Sequence, residues 1–220
     1  FWYKKNIISR LQTIPLYPFS ILWTLVDEFK RYFSKTYKSK LKVVCVGNMT
    51  VGGTGKTPFS IYTFKILKKL GYNPVFLTRG YGGLKKGPIE VNNSHHFQDV
   101  GDESLLLSKV GTTIVSRNRS LGAKFIEKHK DKFNVIIMDD GLQNYQLKQD
   151  IKFLLVDKKI KLGNGYCLPA GPLRQPVEHG LNDIDKIILT GESEKNEKDL
   201  FKSFNIPVIK SNIKTTNLPK

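Results

Sequence analysis

The chain has 220 residues, enough for one large or two small domains, and its 40% hydrophobic content excludes a disordered or low-complexity protein. Lys and Arg number 36 against 19 Asp and Glu, so the formal net charge of +17 predicts an anionic partner: nucleic acid, a membrane surface or a phosphorylated substrate. The two cysteines, Cys45 and Cys167, are too few for a disulfide framework and are expected to be buried thiols in a reducing compartment.

The N-terminal 40 residues combine cations with an apolar stretch at residues 14–26 (IPLYPFSILWTLV). This stretch contains two prolines and is shorter than the roughly 20 residues that cross a bilayer, and no signal-peptide cleavage site follows it. An aromatic-rich segment between cations predicts an interfacial helix, with Tyr17, Phe19 and Trp23 at the depth of the lipid headgroups. The alternative is a helix that packs on the core and has a solvated basic end.

From residue 41 onward, apolar runs alternate with helical patterns. The apolar runs predict buried parallel strands at 41–47, 74–79, 112–116, 134–139, 151–156 and 184–189. Helices are predicted at about 56–70, 102–109 and 120–130. The polar stretch 84–100 has no clear period. The alternation predicts an α/β fold, with a mostly parallel sheet that is covered by helices on both faces.

Residues 46–58 (VGNMTVGGTGKTP) follow a predicted strand and open a predicted helix. In a phosphate-binding loop, glycines let backbone N–H groups converge on phosphate oxygens, a lysine reaches the β- and γ-phosphates, and a hydroxyl holds Mg²⁺. Lys56 and Thr57 have these residue types, whereas Thr50 stands where the usual pattern has its first glycine. The segment predicts a phosphate-binding loop, and the alternative is a glycine-rich connection that binds no nucleotide.

A second pattern, at residues 134–144 (NVIIMDDGLQN), delivers two acids at the end of an apolar strand. An acid in this position is the usual partner of a phosphate loop and coordinates Mg²⁺ directly or through water. Since adjacent strand residues point to opposite faces, Asp139 and Asp140 are expected to have different roles. Taken alone, the pattern also fits a solvated turn.

Three further segments have the composition of site loops. Residues 79–83 (RGYGG) end the second strand, at the edge where open α/β sheets bind ligands. Residues 101–104 (GDES) place Asp102 and Glu103 at a helix start, where the alternative role is ordinary capping. Residues 163–176 (GNGYCLPAGPLRQP) form a long loop that carries Arg174, and unusually long loops tend to be functional.

These motifs occur in the order found in tetraacyldisaccharide 4′-kinases, the lipid A 4′-kinases of Gram-negative bacteria, and the chain resembles that family over most of residues 1–190. The resemblance implies a two-lobed, P-loop NTPase-like kinase fold that uses ATP and Mg²⁺. It implies an acceptor that is a disaccharide lipid with a 1-phosphate, met at the cytoplasmic face of the inner membrane. It also implies that residues 1–40 associate with the membrane, that 41–190 form the kinase core, and that 191–220 begin a truncated second lobe.

The resemblance further implies roles for single residues. Asp102 is similar to the family's general base, and Lys56, Asp139 and Asp140 complete the expected catalytic set. The expected Mg²⁺ ligands are Thr57, Asp139 and Glu103. The residues that match nucleotide contacts are Asn48, Thr50, Val51, Gly52, Gly53, Thr54, Gly55, Lys56, Thr57 and Arg174. Those that match contacts to the lipid headgroup are Tyr81, Gly82, Arg119, Gln143 and Asn144.

One position departs from the family pattern. The family usually has histidine where this chain has Asn144. An amide can still hydrogen-bond a substrate oxygen or phosphate, but it cannot carry a positive charge. Whatever a histidinium would contribute at this position is therefore not expected from this chain.

The resemblance predicts an ATP-dependent kinase that phosphorylates the 4′-hydroxyl of a tetraacyl disaccharide 1-phosphate, as a peripheral protein on the anionic inner membrane. One alternative is a P-loop NTPase that acts as a switch or metallochaperone, although the guanine-specificity motif N-K-x-D is missing. Another is a non-enzymatic basic module, which would leave the phosphate loop and the acidic pair without a purpose. A nucleic-acid partner is not expected, because the cations are not interleaved with aromatic residues as in known modules. The oligomeric state is left open.

Overall fold

The structure is a computed structural model that describes residues 1–4, 6–129, 131–191, 201 and 204–211. The helical elements are α1 (Ile7–Thr13), a 3-10 turn (Ile14–Leu16), α2 (Tyr17–Phe33), α3 (Lys56–Lys69), α4 (Phe97–Val100), α5 (Asp102–Ser108), α6 (Arg119–Glu127) and α7 (Val177–Leu181). The strands are β1 (Lys42–Asn48), β2 (Pro74–Thr78), β3 (Ile89–Glu90), β4 (Thr113–Val115), β5 (Val135–Asp139), β6 (Ile151–Asp157), β7 (Lys186–Thr190) and β8 (Val208–Ser211). The predicted alternation of strands and helices is confirmed. The elements β3, α4 and α7 were not predicted, and the first two lie in the polar stretch 84–100.

The chain folds into two compact units, each assembled from separate stretches of sequence. The first unit contains residues 1–28, 48–55 and the chain from 153 onward, and the second contains residues 29–47 and 56–152. The division predicted at residues 40 and 190 stays a prediction. Much of the predicted second lobe, at 192–200, 202–203 and 212–220, lies outside the described residues.

The second unit is built on five strands in the order β3-β4-β2-β5-β1. Strands β4, β2, β5 and β1 run parallel, and the short β3 pairs antiparallel with β4 at the edge. Every residue of β2, β4 and β5 is buried. Parallel strands are usually covered on both faces, which is why these segments are continuous apolar runs in the sequence.

Helices cover both faces of these strands, because successive strand side chains point to opposite sides. On one face, alternate residues of β2 and β5 pack against α6, in a cluster that contains Val75, Leu77, Ile136, Met138, Ala123 and Ile126. On the other face, Phe76 and Ile137 pack against Phe64 of α3 and Leu107 of α5. This arrangement confirms the predicted α/β fold with helices on both faces of a mostly parallel sheet.

The parallel strands of the second unit end at one edge of the sheet. Arg79 follows β2, Ser116 follows β4 and Asp140 follows β5. In open α/β sheets, ligands bind outside the carboxyl ends of the strands. The topology therefore gathers the motifs at 79–83 and 139–144 at a common edge.

The first unit contains α1, most of α2, α7 and three parallel strands in the order β6-β7-β8. Helix α2 continues to Phe33 and is therefore longer than the apolar stretch from which it was predicted. Among the described residues, no helix combines the length and the apolarity needed to cross a membrane. Cys45 and Cys167 are both buried free thiols, as predicted.

Candidate active site

Helix α3 opens with Lys56 and Thr57, and both polar side chains are buried. The first turn of a helix presents unpaired backbone N–H groups and the positive end of the helix dipole, so it favours an anion. The Nζ atom of Lys56 lies 3.8 Å from Oδ1 of Asp140. This ion pair compensates the charge of the buried lysine. The helix start thus holds a cation and a hydroxyl where a phosphate group is favoured.

Asp139 is the last residue of β5, and its side chain is only 1% exposed. Its Oδ1 atom accepts a hydrogen bond from the Ser60 hydroxyl at 2.7 Å, and its Oδ2 atom accepts one from the Thr57 hydroxyl at 3.4 Å. The pKa of Asp139 is raised to about 6, mainly by burial. The hydrogen bond from Ser60 lowers this pKa, whereas the negative charges of Glu103 and Asp140 raise it. A nearby cation would relieve this destabilisation of the carboxylate.

The oxygen atoms of Thr57 and Asp139 fit a magnesium ion that also binds substrate phosphate. Mg²⁺ is a hard cation that is usually held by one or two carboxylates together with phosphate oxygens and water. The hydroxyl of Thr57 and the buried carboxylate of Asp139 are 3.4 Å apart and supply such a partial set of oxygens. Glu103, the third expected ligand, is half-buried at the start of α5, and its charge acts on Asp139.

Asp140 lies one residue beyond β5 and has a different environment from Asp139. Its backbone has a φ of +51°, in the left-handed region that Asp and Asn adopt more readily than most residues. Its side chain is partly exposed and pairs with Lys56, whereas the side chain of Asp139 is buried. The two acids therefore have different environments, and the physical reason is a sharp turn after the strand rather than the alternation of side chains along it. Their different roles stay a prediction.

The loop at residues 80–83 packs against the residues that precede α5. Gly101 has a φ of +83°, and a Cβ atom placed there would lie 2.2 Å from the carbonyl oxygen of Tyr81. A Cβ at Gly83 would lie 2.6 Å from the carbonyl oxygen of Asp99. Glycine at both positions allows this close approach of two backbones. The tertiary structure therefore brings the predicted motifs RGYGG and GDES together.

Asp102 is the first residue of α5, and its side chain is exposed. Its Oδ1 atom accepts a hydrogen bond from the amide of Glu103 at 2.9 Å. The N-cap residue of α5 is Gly101, so Asp102 does not cap the helix from that position. An exposed carboxylate with further lone pairs can accept a proton from a bound hydroxyl. Tyr81 is also largely exposed, at 78%.

Arg119 is buried behind the acidic pair, with only 2% of its surface exposed. Its Nη1 atom donates to the carbonyl oxygen of Ser116 at 2.6 Å, and its Nη2 atom donates to that of Asp139 at 3.5 Å. Burial lowers the pKa of Arg119 to about 10, which leaves the guanidinium charged at neutral pH. These contacts support the end of β5, and the contact between Arg119 and a lipid headgroup stays a prediction.

The residues after the acidic pair form a turn that engages Asn144. The amide of Asn144 donates to the carbonyl oxygen of Gly141 at 2.9 Å, and its side-chain oxygen accepts from the amide of Gln146 at 3.2 Å. The side chain of Gln149 also donates to Gly141, at 2.7 Å. In this structure the side-chain oxygen of Asn144 therefore stabilises the turn. Gln143 lies half-buried in the same turn.

In the first unit, residues 49–51 of the phosphate loop pair with residues 172–174 of the long loop. The amide of Arg174 donates to the carbonyl oxygen of Met49, and the amide of Val51 donates to that of Pro172, both at 2.8 Å. Thr50 and Leu173 form an antiparallel bridge between these bonds. The pairing explains why Thr50 replaces the usual glycine, since a bridge residue has an extended backbone that needs no positive φ. It also brings the backbone of Arg174 beside the phosphate loop.

The remaining residues of the phosphate loop differ in how exposed they are. Gly52 and Gly53 are exposed, and a Cβ atom at either would meet nothing within 4 Å. Thr54 is buried, and its carbonyl oxygen accepts from the Thr190 hydroxyl at 3.2 Å. The side chain of Asn48 donates to the carbonyl oxygen of Thr50 at 2.8 Å. The tip at Gly52 and Gly53 is thus exposed, whereas hydrogen bonds hold the residues before it and after it.

Sequence reasoning missed Ser60, which contacts the same carboxylate as Thr57. Ser60 is completely buried on α3. Residues three apart on a helix lie on the same face, so the spacing from Thr57 to Ser60 is a signal for this contact. Serine is too common in helices for that spacing alone to identify a site residue.

The chain is similar to known proteins over most of its length. The sequence profile of the family described as tetraacyldisaccharide-1-P 4′-kinase (LpxK) matches residues 12–219. A tetraacyldisaccharide 4′-kinase of Paramagnetospirillum magneticum is 39% identical over 212 residues, which are 95% of this chain and 63% of that protein. One of Methylobacterium nodulans is 43% identical over 158 residues, which are 71% of this chain and 46% of that protein.

A solved structure is similar as well. The crystal structure of LpxK from Aquifex aeolicus in complex with ATP has a TM-score of 0.73 and 30% sequence identity, and the match covers 90% of this chain and 64% of that chain. This similarity confirms the P-loop NTPase-like α/β fold. The chain spans between 46% and 64% of the length of these three relatives.

Proposed function

Because the chain belongs to the tetraacyldisaccharide 4′-kinase family, we propose that it transfers the γ-phosphate of ATP to the 4′-hydroxyl of a tetraacyl disaccharide 1-phosphate, a lipid A precursor. The observation that carries the proposal is the cluster at the start of α3, where buried Lys56 and Thr57 lie beside the acids that end β5. This cluster has the charges and hydroxyls that a Mg²⁺–nucleotide complex requires. The ATP bound to the related Aquifex aeolicus structure supports the same ligand.

The nucleotide half of the reaction depends on positioning and charge neutralisation. Lys56 would leave its ion pair with Asp140 to contact the β- and γ-phosphates, assisted by the backbone N–H groups in the first turn of α3. Thr57 and Asp139 would hold Mg²⁺, which when bound screens the negative charge of the phosphates. The Ser60 hydrogen bond fixes the orientation of the Asp139 carboxylate. Arg174 is the further cation proposed to contact the phosphates.

The acceptor half of the reaction is assigned to residues at the carboxyl edge of the second unit's strands. Asp102 would accept the proton of the 4′-hydroxyl as that oxygen attacks the γ-phosphorus, while the bond from the γ-phosphorus to the bridging oxygen breaks and ADP leaves. Tyr81 and Gly82, in the loop packed against Gly101, would contact the sugar headgroup. Gln143 and Asn144 would add neutral hydrogen bonds, and buried Arg119 would hold the end of β5 and supply positive charge.

We also propose that the protein lies on the cytoplasmic face of the inner membrane as a peripheral protein. One stripe of α2, here called the outer face, consists of exposed large apolar residues: Phe19, Leu22, Val26, Phe29 and Phe33. Cations adjoin it, including Lys30 and Arg31 in its last turn. An apolar stripe with adjacent cations suits insertion into the interface of an anionic membrane.

The test is a phosphoryl-transfer assay with radiolabelled ATP, Mg²⁺ and a tetraacyl disaccharide 1-phosphate in mixed micelles. We expect one labelled lipid product, and none when the acceptor is the corresponding 1,4′-bisphosphate, which has no free 4′-hydroxyl. ATP hydrolysis that is unaffected by the lipid would contradict the proposal and favour a switch or metallochaperone NTPase. Stimulation by nucleic acid instead of lipid would favour a nucleic-acid partner.

A further inference from the structure

Helix α2 donates two side-chain hydrogen bonds to the long loop at residues 163–176. The indole Nε1 of Trp23 donates to the carbonyl oxygen of Arg174 at 2.8 Å. The hydroxyl of Ser20 donates to the carbonyl oxygen of Cys167 at 2.8 Å. Ser20 and Trp23 are three residues apart and lie on neighbouring parts of one helical face. Helix α2, which carries the outer face proposed to contact the membrane, is therefore also hydrogen-bonded to the loop at residues 163–176.

Arg174 connects this helix to the phosphate loop through its own peptide groups. Its carbonyl oxygen accepts from Trp23, and its amide donates to the carbonyl oxygen of Met49 at 2.8 Å. Met49 is 1% exposed. Its Cε atom packs so closely on Gly180 that a Cβ atom at that glycine would lie only 2.3 Å from it. A displacement of Arg174 would therefore be transmitted to residues 49–51 rather than absorbed by a gap.

The tip of the phosphate loop is exposed, and its hydrogen bond from the side chain of Asn48 to the carbonyl oxygen of Gly52 is long, at 3.4 Å. Gly52 and Gly53 are exposed, and the space where their Cβ atoms would lie is open. A glycine loop that is mobile before binding loses more conformational entropy on closing around a ligand than a loop that is already ordered. That loss weakens the affinity for the ligand. Contacts that order the loop beforehand raise the affinity for the nucleotide without touching it.

We propose that Trp23 is a positioning residue for nucleotide binding: its indole N–H holds Arg174, and through Arg174 it holds residues 49–51 of the phosphate loop. The proposal rests on the proposed function, since it takes the ligand of that loop to be ATP. Trp23 acts here through a hydrogen bond on the loop side of α2. This role is separate from any contact of its ring with lipid headgroups.

The test compares Trp23→Phe with a matched control, Trp2→Phe. The first substitution keeps an aromatic ring and removes the N–H donor to Arg174. The second removes an indole N–H that donates to the carbonyl oxygen of Pro169 at 3.0 Å, and Pro169 lies in the same loop but does not itself pair with residues 49–51. For each variant, the dissociation constant of a non-hydrolysable ATP analogue is measured by calorimetry, together with Tm and partitioning onto anionic vesicles.

Loss of one such hydrogen bond predicts an affinity for the ATP analogue about 3- to 10-fold weaker in Trp23→Phe. We expect an unchanged affinity in Trp2→Phe, and an unchanged vesicle partitioning in both variants. In turnover assays, the KM for ATP should rise while kcat and the KM for the lipid stay at the wild-type values. Unchanged ATP affinity in Trp23→Phe, or an equal loss in Trp2→Phe, would overturn the proposal. Failure of the wild-type protein to bind ATP would instead overturn the proposed function.

Discussion

At the scale of single residues, we expect phosphate binding to depend most on Lys56. It is buried at the start of α3 and paired with Asp140 at 3.8 Å. Lys56→Ala removes positive charge from the site of the transferred phosphate, so we expect kcat to fall by about 100-fold or more. The matched control is Lys65→Ala, an exposed lysine on the same helix, which should leave kcat unchanged. Near-wild-type turnover in Lys56→Ala would refute the assignment of the phosphate loop.

The two acids Asp102 and Asp139 should separate chemistry from metal binding. Asp102 is exposed, so Asp102→Asn keeps its size but removes its basicity, and we expect a large fall in kcat with unchanged nucleotide affinity. Asp139 is buried beside Thr57, so Asp139→Asn should raise the Mg²⁺ concentration needed for half-maximal activity. Magnesium titrations of both variants test this division of roles. Identical titration curves would contradict it.

At the scale of elements, one carboxylate fastens the segment between α2 and β1 to helix α6. Glu127 accepts hydrogen bonds from the Tyr37 hydroxyl at 2.7 Å, the Ser39 hydroxyl at 2.6 Å and the Lys40 amide at 2.9 Å. Burial alone would raise the pKa of Glu127, but these bonds outweigh it, and the pKa lies below its ordinary value. The stabilisation by the charged form is therefore present above the ordinary pKa and is lost as the pH falls through the lowered one.

Glu127→Gln should lower the free energy of unfolding by about 1 kcal/mol near neutral pH, a modest amount because the carboxylate is partly solvated. The difference from wild type should shrink as the pH falls below the ordinary glutamate pKa of about 4. Urea unfolding across this pH range measures it. The control is Glu90→Gln, an exposed glutamate on β3. A difference that persists in acid would show that the carboxylate charge is not what fastens the segment.

At the scale of the whole molecule, the outer face of α2 should control attachment to membranes. Leu22 and Phe29 are 59% and 64% exposed, so Leu22→Ser and Phe29→Ser remove apolar surface without opening a cavity. Each lost side chain should weaken binding to anionic vesicles about 10-fold or more, if it inserts fully. Added salt should weaken the binding of every variant, because cations adjoin the stripe.

Vesicle co-sedimentation measures this partitioning, and Tyr62→Ser supplies the control. Tyr62 is 59% exposed, like Leu22, but it belongs to α3. Its replacement should leave vesicle binding unchanged. Equal loss of binding in Tyr62→Ser and Leu22→Ser would show that membrane contact is not specific to α2.

The order and type of the elements from residue 41 onward could be predicted from the sequence. Strands buried on both faces leave unbroken apolar runs such as residues 135–139, and a phosphate loop requires glycines, a lysine and a hydroxyl at consecutive positions. Both signals are local, because each depends on neighbours in the chain. Lys56 and Thr57 came from the second signal, and Asp139 joined their predicted site because an acid at the end of an apolar strand is the usual partner of a phosphate loop.

Only the tertiary structure decided which side chains support those residues. Ser60 contacts Asp139, and residues 49–51 pair with 172–174, so each of these contacts joins positions far apart in the chain. The burial of Arg119 likewise depends on packing. The bond from Trp23 to Arg174 spans 151 positions. The sequence by itself determined the fold class and the chemistry of the phosphate motif, since periodicity and spacing are local. The supporting contacts depend on how the helices and loops pack, and packing has no local signature in the sequence.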